Sequence, residues 1–127
     1  MSREPIPENL HRLILTSIPS VPFLEALLVF RASRERPVGV RELSSRLYMP
    51  EKAAFELVLQ LRDAGVVKSD DGSDTHRYAP DEELAGMLDL LATFYAHDLI
   101  GVTELIHSRT GRKAQQFADA FKWRKDP

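Results

Sequence analysis

Leu10, Leu13, Ile14 and Ile18 fall roughly on one helical face, in a segment that Glu8 opens and Pro19-Ser20-Val21-Pro22 interrupts. From Pro22 to about Ser33 the spacing predicts a second helix, with proline tolerated in its first turn. Its apolar set, Phe23, Leu24, Leu27, Leu28 and Phe30, is too wide for one stripe and predicts burial on more than one side. Val38-Gly39-Val40 reads as a very short strand. Arg41 to about Leu47 then forms a third helix, with Leu43 and Leu47 inward at a spacing of four. Tyr48-Met49-Pro50 makes a turn. The fourth helix, Pro50 to Ala64, sets Ala54, Leu57, Val58 and Leu61 on one face. Gly65 sits where a helix C-cap takes a left-handed residue. Val66-Val67-Lys68 and Thr75-His76-Arg77-Tyr78 alternate as two strands around an Asp71-Gly72 turn.

Beyond Pro80 the pattern changes. Acids at Asp81, Glu82 and Glu83 suit a helix start. From Leu84 to Ser108 only Asp89, Asp98 and Glu104 are charged, which predicts one long apolar helix with Gly101 as a kink or a close contact. A 45-residue head cannot cover such a rod, so pairing with a second copy through Leu84–Ser108 is expected. Arg109-Thr110-Gly111 breaks it, and a last amphipathic segment, Arg112 to about Lys122, carries Phe117 and Phe121. The chain therefore divides into an N-terminal arm and short helix (1–20), a central unit (21–80) and a C-terminal helical dimerisation segment with a basic tail (81–127).

Composition adds bounds. Hydrophobic residues make up 43% of the 127 positions and charged ones 28%, enough for a core in a single domain. With no cysteine, disulfides, thiolate metal sites and a thiol nucleophile are excluded. The opening residues lack the apolar run of a signal peptide, and Pro19, Pro22 and Glu25 break the stretch from Leu13 to Phe30. These features predict a soluble, cytoplasmic protein.

The order from Pro37 to Pro80 carries a family pattern. Glu42-Leu43-Ser44-Ser45-Arg46-Leu47, a three-residue turn, the helix ending Leu61-Arg62-Asp63-Ala64-Gly65-Val66-Val67 and a hairpin together resemble a bacterial winged helix-turn-helix, nearest to MarR-type and related transcriptional regulators. The resemblance implies a mainly α fold with a small β-hairpin, long C-terminal dimerisation helices, no enzymatic activity and no cofactor. It also implies duplex DNA as partner, with the helix after Pro50 as reading helix. On that basis Arg41, Arg46, Lys52, Gln60 and Arg77 are the candidate DNA-binding residues, Arg46 and Arg77 toward the backbone.

Charge weighs against this. From Arg41 to Glu83 there are six basic and ten acidic residues, a net −4, whereas duplex binding draws affinity from cations laid on phosphates. The hairpin tip is acidic, with Asp70, Asp71 and Asp74, and positive charge collects instead in the stretch from Arg109 to Pro127, at +4. The alternative on the same scaffold is a protein-interaction module, with Tyr48 and Phe55 as partner-binding residues. Phe55 has two readings: turned into the core beside Met49, or standing on the open face. Tyr48 occupies a turn position where glycine is common, and Phe55 can touch a thymine methyl but makes no hydrogen bond. Signatures of phosphate loops, dinucleotide sites and nucleophile elbows are absent. Glu104-Leu105-Ile106-His107 has the spacing of di-iron carboxylate helices but no second copy. A polar edge on an apolar helix accounts for it better.

Overall fold

The computed structural model describes residues 5–34, 36–70 and 74–108. Helix α1 (Glu8–Ser17) buries Leu10 and Ile14, and Ile18 follows it into the core. In α2 (Val21–Ser33) the Ser20 hydroxyl accepts the Phe23 N–H at 3.2 Å, satisfying one of the free donors of the first turn. Phe23, Leu24, Ala26, Leu27 and Phe30 are all buried, so α2 is packed on more than one side, as its breadth predicts.

Strand β1 (Val38–Gly39) leads into α3 (Val40–Leu47), and a short turn leads into α4 (Glu51–Asp63). Strands β2 (Val67–Ser69) and β3 (Thr75–Tyr78) follow as an antiparallel hairpin. The sheet runs β1-β3-β2, with β3 in the centre, Val38 opposite His76 on one side and Lys68 opposite Arg77 on the other. Leu43 of α3, Ala54, Leu57, Val58 and Leu61 of α4, and Val66 and Val67 close one core with α2. Gly65, at φ 81°, makes the left-handed exit from α4 that a side chain would strain. The fold is thus mainly helical with a small three-stranded antiparallel sheet, and residues 38–78 carry helix, turn, helix and hairpin in the order read from the sequence. The tip at 71–73 lies outside the described residues.

The single helix expected from Leu84 to Ser108 is two. Helix α5 (Glu82–His97) begins where the Asp81 carboxylate accepts the Leu84 N–H at 2.8 Å. It ends at Asp98, whose backbone (φ −141°, ψ 63°) leaves the helical region, and α6 (Leu99–Ser108) starts at once. Asp98 itself caps α6, its carboxylate accepting the Gly101 N–H at 3.0 Å. A β-carbon at Gly101 would collide with that carboxylate. Gly101 is thus the close contact that its sequence position allowed, and the bend lies three residues before it. Leu88, Leu91, Val102 and Ile106 are buried in the common core, while Leu99 and Ile100 are exposed. No single helix among the described residues is long and apolar enough to cross a membrane. The segment Arg112 to Lys122, with Phe117, Phe121 and the basic tail, lies outside the described residues.

Candidate functional site

The inward face of α4 is fixed by Ala54, Leu57, Val58 and Leu61, which leaves the opposite face to solvent. Lys52, Glu56 and Asp63, all exposed, occupy the centre of that opposite face, and Lys52, Phe55, Leu59 and Arg62 form a stripe at spacings of three, four and three that slants from it toward the sheet. Phe55 is 50% exposed, so of its two placements the open face is the observed one. Its ring walls a cleft of about 510 Å3 between α4 and the sheet, together with Val40, Arg62, Ser69 and His76.

Three of the arginines proposed for DNA contact are engaged with carboxylates of the same surface. Arg41 Nε donates to Glu51 at 3.3 Å. Arg46 lies 3.5 Å from Glu42, which also accepts two hydrogen bonds from Arg36, at 2.6 and 3.1 Å. The Arg36 guanidinium holds the Glu42 carboxyl below the usual carboxylate range. Arg77 donates to Asp70 across the hairpin. These are exposed pairs, each worth little to stability, but each cation already faces an anion. Lys52, Arg62 and Lys68 have no carboxylate partner among the described residues. Gln60 is displaced from the stripe. It lines a different groove, of about 430 Å3, with Leu13, Phe23 and Leu84. One helical position explains this: Gln60 lies about a quarter-turn beyond the line that joins Phe55 to Leu59.

Tyr48 closes α3 in the left-handed region, at φ 54° and ψ 49°, the conformation for which glycine is the usual residue. Its ring is 95% exposed, so packing does not compensate the backbone cost. His76 is the opposite case. Facing inward from the central strand, it is buried, and neither imidazole nitrogen has a hydrogen-bond partner among the described residues. Burial lowers its pKa below the usual histidine value, and the nearby Arg62 cation acts in the same direction.

The sequence reading missed Leu59, Arg62 and Lys68. The first two were legible: extending the step from Lys52 to Phe55 by four and then three residues reaches both. Lys68, on the strand beside the acidic tip, has no carboxylate partner among the described residues, while Arg77 opposite it is engaged. Elsewhere, Glu104 and His107 are both exposed on α6, and no group of three or more histidine or carboxylate side chains among the described residues is placed to hold a metal ion. Compared with protein-family models, with curated proteins and with solved structures, the chain matches none.

Proposed function

We propose that the chain is a non-enzymatic winged-helix transcriptional regulator that binds duplex DNA, with α4 as its reading helix and the β2–β3 hairpin as its wing. The observation that carries this reading is the α4 stripe. A helix packed beside a three-stranded antiparallel sheet presents Lys52 and Arg62, neither with a carboxylate partner among the described residues, along a stripe that includes the half-exposed Phe55. This reading assigns Lys52, Arg62 and Lys68 to phosphates; Arg41, Arg46 and Arg77 are held by their acids. The protein acts as a homodimer through α5 and α6, where Leu99 and Ile100 are exposed and Met87, Leu90 and Phe94 are only partly covered.

A second reading has its own support. Tyr48 and Phe55 are exposed aromatics on a surface whose arginines are largely neutralised, the arrangement of a protein-docking face. Titration with random-sequence duplex DNA at several salt concentrations separates the two. Saturable binding whose logarithm falls with the logarithm of salt supports DNA. Absence of binding at low salt moves the role of this face to a protein partner.

A further inference from the structure

We infer that the cleft between α4 and the sheet is a binding site for a short peptide with free ends, an extended zwitterion. The inference goes beyond the DNA reading and does not rest on it. The cleft holds about 510 Å3, within the usual size of a small-molecule site. Phe55 and Val40 give it an apolar wall, and charges of both signs line it without neutralising one another. Asp74 and Arg62 are both exposed, and neither has an ion-pair partner among the described residues.

The charges are segregated. Glu51, in the first turn of α4, is held beside the start of α3 by its bond from Arg41. Asp74 precedes Thr75, which lies opposite Gly39, the residue before Val40, so both carboxylates belong to the α3 end of the cleft. Arg62 is eleven residues beyond Glu51, about 16 Å along the helix. It lies close enough to His76 to disfavour protonation of that ring, and neither His76 nitrogen has a hydrogen-bond partner among the described residues. These signs decide between occupants. A phosphate chain running the length of the cleft meets two carboxylates, and a simple cation meets Arg62. An ammonium at Glu51 and Asp74, a carboxylate at Arg62 and carbon against Phe55 satisfy every group at once. The separation requires an extended molecule: three peptide residues reach about 10 Å, and the long side chains of Glu51 and Arg62 cover the rest. A single α-amino acid is too short to bridge the two ends.

The probe is the tripeptide alanyl-leucyl-alanine, titrated into the full chain by isothermal calorimetry with no DNA present, so failure here leaves the DNA reading untouched. The free peptide should bind saturably. Acetylating its N-terminus or amidating its C-terminus should each weaken binding by about tenfold or more, the loss of one charged hydrogen bond. Variants at exposed positions, which leave the core intact, assign the ends. Amidation should cost little further in Arg62→Gln yet its full amount in Asp74→Asn. Acetylation should show the reverse, with Glu51 retaining part of its effect in Asp74→Asn. Phe55→Ala should weaken all forms of the peptide alike. No saturable binding of the free peptide at millimolar concentration overturns the inference, and so does binding that is indifferent to both end groups.

Discussion

The Asp98 carboxylate accepts the Gly101 N–H at 3.0 Å, and this bond marks where the most apolar stretch of the chain divides into two helices. As the Asp98 side chain is turned, a β-carbon at Gly101 would overlap its Oδ2, so a side chain there displaces the carboxylate from the N–H. Gly101→Ala should therefore destabilise by about 1 kcal/mol or more through loss of the cap. In an Asp98→Ala background, where no carboxylate is left to displace, the same change should be neutral or slightly stabilising, since alanine is the better helix former. Urea unfolding of the four proteins in this cycle measures the coupling. Additive effects would mean that the cap does not set the bend.

The ion pairs predict a split among the cations. Lys52→Ala and Arg62→Ala should each weaken duplex binding and make the salt slope shallower by about one. Arg41→Ala, Arg46→Ala and Arg77→Ala should change it much less. Removing the acids reverses the logic: Asp70→Asn frees Arg77 and should strengthen binding at low salt. Anisotropy titrations across a salt series read all of these. An unchanged slope in both Lys52→Ala and Arg62→Ala would discard the α4 stripe as the contact surface.

His76 predicts an acid-side loss of stability. Its pKa is lowered in the fold, so the unfolded chain binds the proton more readily. Stability from this residue is fully present above the unfolded value of about 6.5 and falls as pH drops through that value toward the folded one. Glu42 has a lowered carboxyl pKa and adds a separate loss at more acidic pH. Denaturation midpoints at pH 7.5 and 5.5, as chosen test conditions of about those values, should differ in wild type and converge in His76→Phe. An equal fall in His76→Phe would remove His76 as its source.

Tyr48 should be replaceable by glycine at no cost to the fold. The left-handed backbone at φ 54° costs a side-chain-bearing residue about 1–2 kcal/mol, and the exposed ring recovers none of it by packing. Tyr48→Gly should raise the thermal midpoint, whereas Tyr48→Val should lower it, as calorimetry would show. If Tyr48→Gly instead abolishes capture of a protein partner while stabilising the chain, the strained aromatic belongs to the second reading.

Self-association is predicted to run through α6. Leu99→Glu with Ile100→Glu should shift the protein toward the monomer mass in light scattering without loss of helicity, since both side chains are already exposed. A wild-type monomer at micromolar concentration would remove the dimer.

Helix positions in the chain were legible because each inward set repeats at the helical period, as in Ala54, Leu57, Val58 and Leu61. The hairpin was legible from alternation around a glycine turn. What periodicity could not show is pairing: Arg41 and Glu51 are ten residues apart and meet only because the turn at Tyr48 folds α3 against α4. The bend at Asp98 escaped for a related reason. Its flanks are mostly apolar, and an aspartate serves equally as a surface residue within a helix or as a cap that starts a new one. Gln60 and Leu59 exchanged roles through a difference of one residue, about 100° of helix, which identity alone does not resolve.

The central place of β3 has a consequence for biosynthesis. Val38 finds its strand partner only in His76, a separation of thirty-eight residues, so the first strand waits unpaired until nearly all of the unit has left the ribosome. Closing that distance is an entropic toll levied late. A stop or cleavage anywhere before Tyr78 should leave the nascent helices without their seam, as material for proteases and not as a smaller working unit.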